Sequence, residues 1–354
     1  MNPLAGHSNT RRTLLVGSIP APDTHEAVKL ALTQLGPTLM CIPDGETGPR
    51  SQWVASIIAE LRNNPALVLR HDGQWSDYND RPRYRVRRGA TLDPALLRLG
   101  YDTALQQSRP VLDRLVAEYG LEGAIYQVGV ASGFDLALLA FGPAGALRYR
   151  KAFNMAASRE VRSIRRILGD DVVFQIELPA ELVAVSRAPG GLRPAVARWM
   201  AGASVEPAKL APNGTKFGVH LCFGDLNHKA LMKVGKDCAP IVQLANAIAA
   251  RWPSHTSLSY LHIPLAAGDN PPSLAGSYYA PLANLSLPAD TRLVAGFVHE
   301  ALAEDQLRDV LRMVESAAGR RVDVAAPCGL GRRDAAMARD LMRASRQLAL
   351  TKTP

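Results

Sequence analysis

The chain has 354 residues, of which 47% are apolar, 21% charged and 6% aromatic. That composition excludes a fibre, a disordered tail and a small disulfide scaffold, and it allows a large core. The net charge of +9 comes mostly from dispersed arginine, densest at Arg81-Pro-Arg-Tyr-Arg-Val-Arg-Arg88; no binding motif accompanies it, so it reads as a solvated surface and no nucleic-acid partner is expected.

Residues 1–12 read as a flexible, basic N-terminal tail. Arg11-Arg12 superficially resembles a twin-arginine signal, but Gly17, Pro20 and Pro22 break the apolar stretch at once. From Thr13 onward, short apolar runs of strand length alternate with stretches whose apolar residues recur every three or four positions. The expected strands are Thr13–Val16, Thr38–Ile42, Gly123–Val128, Val172–Ile176, Lys216–Leu221, Ser257–Leu261, Arg292–Phe297 and Val322–Ala326. The clearest expected helices are Thr24–Leu35, Pro110–Tyr119, Ala157–Leu168, Ile241–Ala250 and Glu304–Ala317. Ser51–Leu121 is a long excursion after the second strand, carrying Trp53, Trp75, Tyr78 and the arginine-rich segment. Residues 346–354 read as a C-terminal tail.

Eight strand-helix repeats predict an α/β protein, a (β/α)8 TIM barrel formed by residues 13–345 as one domain. A doubly wound sheet is the structural alternative, but no strand is followed by Gly-x-Gly-x-x-Gly. No apolar run approaches the roughly 20 residues of a membrane span, so no membrane partner is expected. Four scattered cysteines do not make an extracellular disulfide framework, which points to a reducing, cytoplasmic setting.

In such a barrel the chemistry sits where the C-terminal strand ends converge on one mouth. Those ends offer Gly17-Ser18, Asp44 and Glu46, Ser132, Glu177, His220 and Cys222, His262, His299-Glu300 and Cys328. His220 and Cys222 are two apart on a strand, so both side chains project from one face and can grip one ion. Imidazole with thiolate favours zinc, and closure of the barrel returns Cys328 to the same mouth. Cys41 reads as core, Cys238 as the start of a helix and His228 as a loop residue.

Val16-Gly-Ser-Ile-Pro20, Gly45-Glu46, Phe174-Gln-Ile-Glu-Leu-Pro179, Val219-His-Leu-Cys-Phe-Gly-Asp225 and Pro327-Cys-Gly-Leu330 follow one another in this order. Together they resemble the catalytic barrel of cobalamin-independent methionine synthase, within the group of zinc methyltransferase and uroporphyrinogen decarboxylase barrels. The resemblance implies Zn2+ held by His220, Cys222 and Cys328, binding the sulfur of a methyl acceptor. Where the family has a glutamate ligand, this chain has His262 in Leu258-Ser-Tyr-Leu-His262, so His262 is the expected fourth ligand. The resemblance also implies that the Gly17-Ser18 turn receives an amino-acid carboxylate and that Glu46 and Glu177 receive its ammonium group, with Asp44 and Arg50 nearby. The family's late histidine is displaced by two places to His299, the expected general acid beside Glu177. Folate contacts are not discernible, and methyltetrahydrofolate is not assumed.

The expected activity is therefore transfer of a methyl or other alkyl group to a zinc-activated thiolate, with a small thiol or amino-acid-like substrate. A zinc lyase or hydrolase on the same barrel is the enzyme alternative. A non-catalytic protein braced by a closed zinc site is the other.

Overall fold

In a computed structural model of the protein, Leu4 and residues 10–351 are described. The elements in chain order are β1 (Thr13–Leu14), α1 (Thr24–Leu35), β2 (Ile42–Pro43), α2 (Trp53–Glu60), β3 (Leu67–His71), β4 (Arg83–Val86) and α3 (Tyr101–Glu118). They continue with β5 (Tyr126–Ala131), α4 (Gly133–Leu168), β6 (Val172–Leu178), α5 (Pro179–Arg187), α6 (Arg193–Ser204), α7 (Glu206–Lys209) and β7 (Lys216–Leu221). The last are α8 (Ala239–Ala249), β8 (Ser257–Pro264), β9 (Arg292–Gly296), α9 (Glu304–Ala318), β10 (Asp323–Ala325) and α10 (Ala335–Leu350).

Eight strands form one parallel sheet in the order β1-β10-β9-β8-β7-β6-β5-β2. A parallel bridge between Thr13 and Leu39 joins the two ends of that order, and the Met40 N–H donates to the Thr13 carbonyl at 2.9 Å. The architecture is a TIM-barrel-like α/β fold, in which strand burial on both faces explains the near-continuous apolar runs of β6 to β9. Between β2 and β5 the chain passes through α2, the antiparallel pair β3–β4 and α3.

Local chemistry accounts for the element boundaries. Asp23 caps α1 by accepting the Glu26 N–H, and the helix ends at Leu35 because Gly36 turns left-handed and Pro37 lacks an N–H to continue it. That turn delays the second strand to Ile42, later than the expected Thr38. α4 opens well before the expected Ala157, capped by Ser132, whose Oγ accepts the Asp135 N–H at 2.9 Å. Its axis breaks at Gly142-Pro143.

Two apolar clusters hold these layers. The larger lies between helices and strands, and a smaller one, with Leu14, Cys41, Val173, Tyr260 and Val294, fills the space enclosed by the strands. Above the smaller cluster sits a polar layer that fixes the turn after β1. Gln127 Nε2 donates to the Leu15 and Val16 carbonyls at 3.0 and 2.7 Å, and Gln175 Nε2 donates to Val16 O at 2.6 Å. Tyr260 Oη donates to Gln175 Oε1 at 3.0 Å, and the Cys41 thiol donates to Gln127 Oε1 at 2.9 Å.

The expected tails are corrected at both ends. α10 runs to Leu350, and Leu348 and Ala349 are buried, so residues 346–350 belong to the packed helix. Leu4 is buried in the smaller cluster, and Arg11 is buried with its guanidinium on Glu315 at 2.9 Å and on the Thr351 carbonyl at 2.7 Å. The rest of residues 1–9, and residues 352–354, lie outside the described residues. The arginine-rich segment is β4 and its approach: Arg81 Nε donates to Leu139 O at 3.0 Å and Arg87 Nε to Pro65 O at 2.9 Å.

Candidate metal centre

β7 carries His220 in register with Glu177 of β6 on one side and His262 of β8 on the other. Cys222 follows two residues later, on the same face, and the loop after β10 brings Cys328 to it. One ligand atom from each of His220, Cys222 and Cys328 lies within 4.8 Å of the others. The two Sγ atoms are 3.6 Å apart. That is too long for a disulfide, and it is close to the ~3.7 Å that two thiolates span on a tetrahedral zinc at about 2.3 Å from each.

Electrostatics prepare this cluster for a cation. Cys222 and Cys328 share a hydrogen bond, which holds Cys328 below and Cys222 well above the usual thiol range. The Gly224 N–H adds a hydrogen bond to Cys222 Sγ at 3.2 Å. Burial pushes His220 well below the ordinary imidazole value, so its ring is neutral. Its Nε2 is buried with no hydrogen-bond partner among the described residues. His220 Nδ1 is taken by His262 at 2.8 Å, which leaves the orphaned Nε2 as the nitrogen free for an ion. On a ring that offers a ligand atom within 4.8 Å of two thiols this fits a metal, and His220, Cys222 and Cys328 are the residues that could hold one.

His262 departs from its expected place in that set. Its Nδ1 is 2.8 Å from His220 Nδ1, and its Nε2 is 3.1 Å from the Ala326 carbonyl. Both ring nitrogens are engaged away from the thiols, so His262 stands behind His220 and not beside the cysteines. Burial lowers its pKa to about 4.

The cluster opens on a cavity of about 400 Å³. Cys222 and Cys328 line it with Ser18, Glu46, Glu177 and Arg332, while Phe134, Leu138, Leu139, Val183 and Trp75 form an apolar wall. Tyr78 also lines it; Trp75 and Tyr78 come from the connection between β3 and β4.

The turn after β1 is locked to the Cys328 loop, since Leu330 N–H donates to Ser18 O at 2.8 Å and Gly331 N–H to Ser18 Oγ at 3.3 Å. Gly17 is required there: a Cβ at this position would stand 2.5 Å from Glu46 Oε1. Glu46 itself has φ +46, held by the Asp44 carboxylate accepting its N–H at 3.0 Å, while Arg50 pairs with Asp44. Asp44 thus positions Glu46 and does not line the main cavity.

Burial raises Glu46 well above the carboxylate range, with the charge of Glu177 adding to it. Burial and then Cys328 push Glu177 up to about 8. Gln175 Nε2 donates to Glu177 Oε1 at 3.1 Å.

His299 is the second correction. It is buried, its Nε2 hydrogen-bonds Gly268 O at 2.8 Å, and its Nδ1 accepts the Ala301 N–H at 3.1 Å. It pins the loop after β9 and is not among the residues that line the cavity.

Several cavity groups escaped sequence reasoning. Asp135, in the first turn of α4, lines the cavity with its pKa pushed up to about 7 by burial. Asp225 and Arg332 also line it, three and four residues beyond Cys222 and Cys328 respectively. Their nearness to the cysteines in sequence was the available signal. Nothing comparable marked Asp135.

A solved B12-independent methionine synthase from Shewanella sp. W3-18-1, in complex with selenomethionine, superposes over 96% of this chain and 97% of its own, with a TM-score of 0.62 at 12% identity. The chain has the fold of that methionine synthase. Two further solved structures align at lower similarity. A methyltransferase from Methanosarcina mazei gives a TM-score of 0.45 at 12% identity, over 98% of this chain and 96% of its own. A putative vitamin-B12-independent methionine synthase from Listeria monocytogenes gives 0.44 at 10%, over 95% of both chains. No family model and no curated protein matches the sequence.

Proposed function

We propose that this protein is a zinc-dependent enzyme that transfers a methyl or other alkyl group to a thiolate. The observation that carries the reading is the convergence of His220 with Cys222 and Cys328, the two cysteines lining a cavity, and His220 Nε2 buried with no partner among the described residues. Bound there, zinc would supply the charge that deprotonates a substrate thiol at neutral pH.

The chain's own groups would do the rest. Ser18 and its turn, with Glu46 and Glu177, would hold the carboxylate and ammonium ends of an amino-acid-like acceptor; the selenomethionine held by the Shewanella enzyme supports that substrate class. The wall of Phe134, Leu138, Leu139 and Trp75 would exclude water from the reacting sulfur. In the transfer, a sulfur–carbon bond forms, the bond from that carbon to the donor breaks, and the departing group keeps the electron pair. Asp135, with its pKa raised to about 7 by burial, would carry a proton near neutral pH that such a leaving group can take. No role in catalysis is proposed for His299.

Three protein ligands beside a cavity favour catalysis over a closed structural brace. No helix among the described residues is long and apolar enough to cross a membrane, and two free cysteines serving as ligands suit a cytoplasmic setting. The deciding experiment is metal analysis followed by cobalt replacement. One zinc per chain, and a change in the cobalt spectrum on adding homocysteine or another small thiol, are expected. Absence of stoichiometric zinc, or Cys222→Ser retaining all of it, would reject the reading. Product analysis then separates a thioether from a cleavage product.

A further inference from the structure

We propose that His262 is a positioning residue, which fixes the tautomer of His220 so that its Nε2 lone pair faces Cys222 and Cys328. The centre is thereby left with three protein ligands. This rests on reading those three residues as a metal site.

The tautomers follow from the protons available along one line of hydrogen bonds. The Ala326 carbonyl can only accept, so the His262 Nε2 that lies 3.1 Å from it must carry hydrogen. A neutral ring has one such hydrogen, and Nδ1 of His262 is then a lone pair. That lone pair faces Nδ1 of His220 at 2.8 Å, so His220 must be the donor, with its hydrogen on Nδ1. The remaining nitrogen, His220 Nε2, is consequently an acceptor, and it is the buried atom without a partner. A hydrogen bond to the far nitrogen of a metal-binding imidazole orients the ring and raises its basicity. Here a second imidazole, itself fixed by a backbone carbonyl, fills the place more often taken by a carboxylate.

The slot is built for this ring. His220 and His262 are register partners on neighbouring strands, and the two ring centroids are 4.7 Å apart. On the other side lies Gly296 of β9, where a Cβ would come within 2.4 Å of His262 Nε2. For His262 to become a fourth ligand, it would have to leave a fully buried slot and break both hydrogen bonds. The strand position that would complete a four-residue ligand set therefore braces a ligand instead. One coordination position stays open for a thiol to enter without displacing a protein group.

The first test needs no metal. Long-range proton–nitrogen NMR of the histidine-labelled apoprotein is expected to show His220 protonated at Nδ1 and His262 at Nε2; His220 protonated at Nε2 would overturn the proposal. X-ray absorption of the zinc-loaded protein is expected to count two sulfurs and one imidazole, and two imidazoles would overturn it.

Two further variants separate positioning from ligation. His262→Gln can donate to Ala326 O and accept from His220, so zinc affinity close to that of the unaltered protein is expected. Gly296→Ala, which crowds the ring without removing it, is expected to lower affinity about 10- to 100-fold with the imidazole count still one. Equal loss in a folded His262→Gln variant would reject the positioning role. Where a variant does not fold, the two measurements on the unaltered protein decide. A protein that binds no zinc would refute the metal reading, whereas the NMR result would still judge the tautomer.

Discussion

Two buried histidines at the mouth of this barrel, His220 at the end of β7 and His299 after β9, look alike in sequence and differ in one respect. Both nitrogens of His299 are bonded to backbone, one to Gly268 O in the connection after β8 and the other to the Ala301 N–H. His220 has one nitrogen bonded to His262 and the other without a partner among the described residues, on a ring that offers a ligand atom within 4.8 Å of two thiols. A histidine whose bonds are all satisfied by the fold is part of the scaffold. One that is buried with a bond missing implies something that the fold alone does not supply.

The largest expected effect breaks the His220 side of this contrast. Cys222→Ser and Cys328→Ser should each remove stoichiometric zinc, read by metal analysis after chelator washing, whereas His299→Ala should leave the metal content unchanged. Equal zinc loss in all three would erase the distinction between the two histidines.

A second effect concerns a buried acid of α5. Glu181 accepts from Ser132 Oγ at 2.5 Å, and burial raises its pKa to about 8. A raised carboxyl holds its proton in the folded state while the unfolded chain releases it, so this group's contribution is full below about pH 4.5 and is lost as pH rises through about 8. Denaturant melts of the metal-free protein should therefore lose stability from pH 5 to 8, on the order of a few kcal/mol. Glu181→Gln should reduce that slope, with Glu46, Glu177 and Asp135 keeping the remainder, and an unchanged slope would refute the assignment.

Smaller still is the effect of Gly17→Ala, which puts a methyl group 2.5 Å from the Glu46 carboxylate. It should destabilise the fold by about 1–3 kcal/mol and weaken acceptor binding, checked by thermal unfolding and by titration with homocysteine. The smallest shift is expected from His299→Ala itself: about 1–2 kcal/mol of stability for its two lost hydrogen bonds, with no change in the cobalt spectrum.

Much of the fold was legible because parallel strands buried on both faces are written as apolar runs, and the helices between them as three- and four-residue periodicity. Each of the eight expected strands overlaps an observed one, from Thr13–Leu14 to Asp323–Ala325. The second strand starts late because of a local break, Gly36-Pro37, and α4 starts early because Ser132 caps it, with the kink at Gly142-Pro143 falling inside the helix. The termini were misjudged because the partners that bury them are remote in sequence: Arg11 reaches Glu315 and Thr351.

The sequence by itself determined the alternation of strands and helices, and which strand ends carry sulfur, imidazole and carboxyl groups, because both follow from residue type and short spacing. Only the tertiary structure decided how those groups are used. Whether a ring nitrogen faces a thiol, a carbonyl or another ring depends on strand register and on the room left by Gly296 and Gly17, which spacing along the chain does not encode. That is why Cys222 and Cys328, 106 residues apart, meet at 3.6 Å, while His262, in register with His220, turns its nitrogens elsewhere.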